Sequence, residues 1–177
     1  GIGLGPNEDA TSYLFPKIPQ ARVAIAKQVA TGPTINADGS FNVTFRLQVE
    51  NPSLEGLTNV VVTDPLAGAA PAFGTNVTLG APGSDPMAAG SYTMLSAPSG
   101  SCGGVQAGFN GGSATTAASG FTLAAGANCT IDISLRVQPT SPLPPVLAGG
   151  ERYRNQATVT GEGALSGQTS ATNPQLT

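Results

Sequence analysis

One run of ten residues constrains the fold of this chain more than any other part of the sequence. In residues 41–50, apolar and polar side chains alternate without a break. A period of two puts alternate side chains on opposite faces of an extended strand, whereas a helix needs a period of about 3.6. The run therefore predicts a half-buried antiparallel strand. The side chains expected on its core face are Phe41, Val43, Phe45, Leu47 and Val49.

Shorter runs rich in β-branched residues occur throughout the rest of the chain, and none carries a helical stripe. The 24 Gly and 15 Pro residues separate these runs and supply turn signals, as Asp38-Gly39 does before the first long strand. Roughly seven to ten short strands separated by turns are typical of a β-sandwich. The predicted strands are residues 22–29, 41–50, 59–65, 121–123, 129–137, 154–160 and 166–172, with weaker pieces at 76–79, 91–95 and 104–109.

The fold expected from these patterns is all-β: an immunoglobulin-like antiparallel β-sandwich with an extended N-terminal arm. The arm covers residues 1–20, and the sandwich covers residues 21–177. A loop-rich insertion rich in Gly, Ser and Ala is expected at about residues 67–120.

The arm has the pattern of a strand that is donated to another molecule. Apolar residues alternate with glycine in residues 1–5, and prolines at 6, 16 and 19 prevent a helix. Such a segment suits addition to the open edge of a neighbouring sheet. Two alternatives stay open: the arm folds back on its own domain, or it links to a preceding domain. The side chains expected to make the contacts are Ile2, Leu4, Tyr13, Leu14, Phe15 and Ile18.

Two cysteines, Cys102 and Cys129, are the only ones in the chain. We expect them to form a disulfide, which is typical of exported proteins, and two buried free thiols are the alternative.

Composition excludes several functional classes. The chain has no His, so triads and proton shuttles that depend on histidine are excluded, and it has no Trp for stacking on sugars. Its acidic residues are spread singly, so we expect no metal site and no cofactor. Its seven basic residues are scattered and the net charge is −3, so no nucleic-acid-binding face is expected. No apolar run approaches the roughly 20 residues of a membrane span. We therefore expect a protein that is not an enzyme.

The order of the strand motifs resembles the bacterial surface repeat called the domain of unknown function 11, over about residues 22–162. The resemblance rests on a first strand with Lys27, a long alternating strand that ends at Asn51-Pro52, and a strand that ends in Asp64-Pro65-Leu66. A Gly-led strand at residues 125–131 and an Asn-x-Ala-x-Val motif at 155–159 complete it. The resemblance implies export and a structural role.

Lys27, Asp64 and Asn155 are the sharpest candidate constellation. In immunoglobulin-like surface domains, a Lys on the first strand can bond to an Asn on a late strand with loss of ammonia, assisted by a buried carboxylic acid. Burial favours the neutral amine and the protonated acid that this reaction needs. In the alternative interpretation, Lys27 extends along the sandwich edge into solvent, Asn155 caps a turn, and Asp64 fixes the Asp-Pro turn.

The function expected from these observations is that of a structural subunit of an extracellular filament, sheath or cell-surface layer, whose partners are other copies of the chain. The alternative is an adhesin-type module that presents the loops of residues 67–120 to a glycan or a surface protein.

Overall fold

The computed structural model describes residues 20–66, 90–139 and 156–172. These residues form nine β-strands and no helix. The strands are β1 (Ala24–Ile35), β2 (Phe41–Glu50), β3 (Leu57–Thr63), β4 (Gly90–Met94), β5 (Ser99–Gly100), β6 (Thr116–Leu123), β7 (Asn128–Pro139), β8 (Thr158–Gly163) and β9 (Thr169–Thr172).

The strands form two antiparallel sheets, which confirms the predicted β-sandwich. The first sheet has the order β1-β2-β7-β4, with β5 also paired to β7. The second sheet has the order β6-β3-β8-β9. At one side of the sandwich, the amide of Val23 just before β1 donates to Ser170 Oγ of β9 at 3.2 Å, so the edges of the two sheets are tied together there.

The core lies between the inward faces of the sheets, and both β2 and β7 turn alternate side chains into it. Val43, Leu47 and Val49 are buried as the alternation predicts, whereas Phe41 and Phe45 are half-buried against the core. Strand β7 pairs with β2 in unbroken register, from Phe41↔Val137 to Glu50↔Asn128. Its own alternate residues are buried too: Cys129, Ile131, Ile133, Leu135 and Val137.

Some predicted strand bounds were wrong. Strand β1 continues six residues past the predicted end at 29, through two register shifts against β2. Residues 104–109 are not a strand but a turn with one bridge, Val105↔Ala118. Strand β6 begins at Thr116, five residues before the predicted piece. The weak piece at 91–95 is β4, and the piece at 76–79 lies outside the described residues.

Three of the outer strands are short or covered. Strand β9 has four residues and β4 has five. Residues 104–106 lie along β6, where Ser119 N donates to Gly104 O at 3.0 Å and Gln106 N donates to Ala117 O at 2.9 Å. Strand β1 is different, because it is twelve residues long and β2 is its only strand partner within the described ranges.

Candidate functional site

The interior of the sandwich holds an ion pair that connects the two sheets. Val23, Ile25 and Lys27 share one side of the first strand region and are all buried, so the alternation that buries two aliphatic residues also turns Lys27 into the core. Asp64 follows the last residue of β3 in the other sheet, where its amide donates to Thr115 O at 2.8 Å. Lys27 Nζ lies 2.6 Å from Asp64 Oδ2.

Both members of this pair are removed from solvent. The side chain of Lys27 is 7% exposed and that of Asp64 is fully buried. The structure therefore brings together two of the three residues of the predicted constellation. The alternative in which Lys27 extends along the edge into solvent is wrong, because the Asp64 carboxylate is a better partner than water at this depth.

The surroundings of the pair combine burial with one opposite charge and one aromatic face. Burial lowers the pKa of Lys27, and the charge of Asp64 and its hydrogen bond oppose that effect only in part. The Phe45 ring centroid is 4.6 Å from Lys27 Nζ, so one side of the ammonium meets an aromatic face in place of water. The charge of Asp64 also affects Tyr92. Burial raises the pKa of the Tyr92 phenol, and the nearby negative charge of Asp64 raises it further.

The third predicted member, Asn155, lies outside the described residues. The residues that follow it are described: Gln156 is 2% exposed and Ala157 is fully buried. They precede β8, which pairs with β3 through Thr63↔Thr158. The chain just before β8 therefore runs beside the end of β3, where Asp64 is located.

The predicted disulfide is present. Cys102 and Cys129 are bonded, and neither is a free thiol, so the alternative of two free thiols is wrong. Cys129 belongs to β7, and Cys102 follows β5, which pairs with β7. Gly100 allows this approach, because a Cβ at that position would collide with the Thr130 carbonyl. The disulfide therefore fixes the segment after β5 to β7.

A second polar cluster, which the sequence did not reveal, closes the end of the sandwich after β2. The side-chain Nδ2 of Asn51 donates to the backbone carbonyls of Glu55 at 2.8 Å, Leu123 at 3.0 Å and Ala124 at 3.0 Å. Its side-chain Oδ1 accepts from the backbone amide and the hydroxyl of Ser53. Of this cluster, the sequence pattern identified only Asn51-Pro52, as the end of a strand. The cluster joins the β2 end to the β6–β7 turn, which is a structural role.

A metal site needs several clustered ligands, and a membrane-spanning helix needs a long apolar stretch. They contain no group of three His, Cys, Asp or Glu side chains placed to hold a metal ion. No helix long and apolar enough to cross a bilayer occurs among them. The arm residues Ile2, Leu4, Tyr13, Leu14, Phe15 and Ile18 lie outside the described residues, as do residues 67–89 of the predicted insertion.

No protein-family model matches the chain, and no curated protein is significantly similar to it in sequence. The resemblance to the domain of unknown function 11 therefore stays a prediction.

Proposed function

We propose that this protein is a structural subunit of an extracellular filament, sheath or surface layer, and that residues 1–20 of one copy add a strand to a neighbouring copy. The observation that carries the proposal is the long edge strand β1, which pairs only with β2 among the described strands. An edge of this length presents a row of backbone donors and acceptors to a further strand. The disulfide supports export, because such bonds persist outside the reducing cytoplasm.

The first half of β1 is the part of this edge best suited to accept a strand. From Ala24↔Glu50 to Val29↔Phe45 its register with β2 is continuous over six residues. Beyond Val29 the register with β2 shifts. Pro33 also lacks a backbone N–H and cannot donate a hydrogen bond to a further strand. The start of the arm, residues 1–6, has the same length and ends at a proline. One strand of this kind would fill the regular part of the edge.

The faces of β1 agree with the composition of the arm. Its outer face there carries two small side chains, Ala24 and Ala26, and then Gln28, and its inner face carries Ile25, Lys27 and Val29. A strand with glycine on one face and Ile2 and Leu4 on the other extends both faces of the sheet. Such a contact is head-to-tail, and head-to-tail contacts give open filaments when the rotation does not close.

Removal of the arm tests the proposal. The chain that lacks residues 1–20 should stay folded and monomeric by light scattering, whereas the full chain should form filaments visible by electron microscopy. The variant Ile2→Asp/Leu4→Asp should also be monomeric, and the control Asn7→Asp should still assemble. In the polymer, amides within residues 24–29 should gain protection from hydrogen exchange. A truncated chain that still polymerises would overturn the mechanism.

The alternative, a binding module, has one observation in its favour. The loop before β6 is held in one shape by Asn110, whose Oδ1 accepts from Gly112 N at 2.9 Å and Ala114 N at 3.0 Å. Tyr92 fixes the same loop from β4 by donating to the Asn110 carbonyl at 2.7 Å. A preformed loop suits ligand recognition, because little conformational entropy is lost on binding. A full chain that stays monomeric and binds glycans through this loop would favour the alternative.

A further inference from the structure

We propose that Asn128 carries an N-linked glycan, attached through its side-chain Nδ2. The tripeptide Asn128-Cys129-Thr130 fits the acceptor pattern Asn-x-Ser/Thr, in which the middle residue is not proline. The same pattern occurs at residues 42–44, and a third copy at 76–78 lies outside the described residues. Such a short pattern also arises by chance, so the surroundings of each copy decide whether it can accept a sugar. The inference depends on export of the chain, as the proposed function does, but not on its assembly.

The disulfide fixes the orientation of the motif. Cys129, its middle residue, is buried and bonded to Cys102. Because side chains alternate along β7, a Cys129 that faces the core turns Asn128 and Thr130 to the outer face of the first sheet. Asn128 is exposed, and two positions along a strand correspond to roughly 7 Å. The carboxamide and the hydroxyl that define the motif therefore lie on one solvent-facing surface.

Asn128 is located at one end of the sandwich. It is the first residue of β7 and follows a turn in which Ala127 N donates to Ala124 O at 3.0 Å. Its paired residue on β2, Glu50, is exposed as well. Within the described ranges the carboxamide of Asn128 makes no hydrogen bond. Attachment of a sugar to Nδ2 therefore breaks no contact in that part of the chain.

Asn42, in the copy of the motif at residues 42–44, has different surroundings. It is half-buried, and its Oδ1 accepts from Asn36 Nδ2 at 3.2 Å. Strand β2 lies between β1 and β7, and the residues paired with Asn42 on these strands are Thr34 and Arg136. A sugar on Asn42 would crowd these neighbours and disturb the contact with Asn36. The structure therefore favours the copy of the motif on β7.

A glycan at Asn128 would hydrate an end of the sandwich that exposes an apolar side chain. The turn before Asn128 is bonded to the segment after β2: Gly126 N donates to Asn51 O, and Asn51 N donates to Ala127 O, both at 2.9 Å. That segment carries Leu54, which is 91% exposed. Glycans are bulky and solubilising, so one attached beside this segment would keep it in contact with a hydrophilic chain.

The attachment needs one co-reactant, an oligosaccharide activated at C1 as a lipid-linked diphosphate ester, and a transferase that catalyses the exchange. Asn128 Nδ2 forms a bond to C1, and the bond from C1 to the diphosphate oxygen breaks. Nδ2 loses one proton, and the diphosphate leaves on its lipid. Nothing is oxidised or reduced. The modified chain is heavier than its sequence by the mass of the glycan less one water.

Glycopeptide mapping of the protein isolated from its natural source tests the proposal. After disulfide reduction and proteolysis, peptides that contain residue 128 should carry the mass of a glycan. Fragmentation that keeps side-chain modifications intact should place that mass on Asn128, and peptides that contain Asn42 should have their sequence mass. An unmodified Asn128 would overturn the proposal. So would a glycan on the Thr130 hydroxyl, or one on Asn42 with Asn128 unmodified.

Variants produced in the same source give a second test. Asn128→Gln removes the acceptor, and Thr130→Ala removes the hydroxyl that the motif requires, so both should lose the glycan. Thr130→Ser restores the hydroxyl and should keep the glycan, and the matched control Asn42→Gln should leave it unchanged. A glycan that persists on Asn128 in Thr130→Ala, or that is lost in Thr130→Ser, would overturn the proposal. Circular dichroism should show the same β-rich state in every variant, and if one fails to fold, the wild-type map decides.

Discussion

The Glu55 carboxylate shows how one side chain fastens two distant parts of the chain. It accepts from Ser166 Oγ at 2.6 Å, Ser166 N at 3.0 Å and Leu165 N at 2.9 Å, in the turn between β8 and β9. These hydrogen bonds lower the pKa of Glu55, and the bond from the Ser166 hydroxyl has the largest effect. Removal of the carboxylate from water acts in the opposite direction. A carboxylate held in this way links folding to pH.

We predict that Glu55 contributes to a loss of stability in acid. Because its folded pKa lies below the ordinary value of 4.5, the unfolded chain binds more protons in the window between the two values. The contribution is therefore fully present above about pH 4.5 and is lost as the pH falls through the folded pKa. Urea unfolding of Glu55→Gln should show lower stability than wild type at neutral pH and a shallower decline in acid.

The matched control is Glu162→Gln, an exposed carboxylate that accepts one hydrogen bond from Asn59 at 2.9 Å. It should leave the acid decline almost as steep as in wild type. Asp38 and Asp132 also have lowered pKa values, mainly through hydrogen bonds from Ser40 and Arg46 respectively, so part of the decline should remain in every variant. An equal decline in wild type and Glu55→Gln would contradict the prediction.

For single residues, the alternation in the sequence predicted which side chains are buried. It could not predict hydrogen bonds between residues that are far apart in the sequence. Lys27 alternates with Val23 and Ile25 and shares their buried face, and the sequence left burial and an edge position both open for it. The partners of Glu55 lie 110 and 111 residues away, so no local pattern could identify them. Asn51 was recognised only as a strand end, because its partners Leu123 and Ala124, at the end of β6 and just after it, are more than 70 residues away in the sequence.

At the element scale, the disulfide should account for a large share of the stability of the first sheet. Its cysteines are 27 residues apart, and the loop between them includes β6. In the chain-entropy model, closing a loop of this length stabilises a fold by roughly 3–4 kcal/mol. We predict that Cys102→Ser/Cys129→Ser folds to the same β-rich state with a free energy of unfolding lower by that amount. Reduced wild type should behave like the variant, and unchanged stability in both would contradict the prediction.

Strands were predictable where one face meets the core and the other meets solvent. That condition holds along β2 and most of β7, and their alternation gave their bounds within one or two residues. The condition does not hold in the second part of β1, because residues 29–35 are all exposed, with Val29 at 53% and Ile35 at 80%. Exposure on both faces leaves no alternation, so only pairing with β2 reveals the strand. Residues 104–109 show the opposite error, since their contact with β6 amounts to one bridge, Val105↔Ala118, and two flanking backbone hydrogen bonds, and no strand forms.

For the whole molecule, the order of the strands within the two sheets could not be predicted from the sequence pattern. The number of short strands separated by turns predicted a sandwich, but it could not tell that β7 lies between β2 and β4, or that β3 lies between β6 and β8. Those choices depend on pairings between residues that are far apart in the sequence. They also decide which strand is left at the edge, and so where another molecule could bind.

The edge of β1, where β2 is the only strand partner among the described residues, can be tested by binding in trans. If residues 1–20 donate a strand, a synthetic peptide of that sequence should bind the chain truncated before residue 21 and stabilise it by mass action. A ligand at about 100 times its Kd raises the free energy of unfolding by about 2.7 kcal/mol. Thermal unfolding should therefore shift upward with peptide concentration, and hydrogen exchange should slow within residues 24–29. The control peptide, with Ile2→Asp and Leu4→Asp, should do neither, because charged side chains cannot fill positions beside the core face of β1. Equal effects of both peptides, or protection confined to another strand, would show that β1 is not the acceptor.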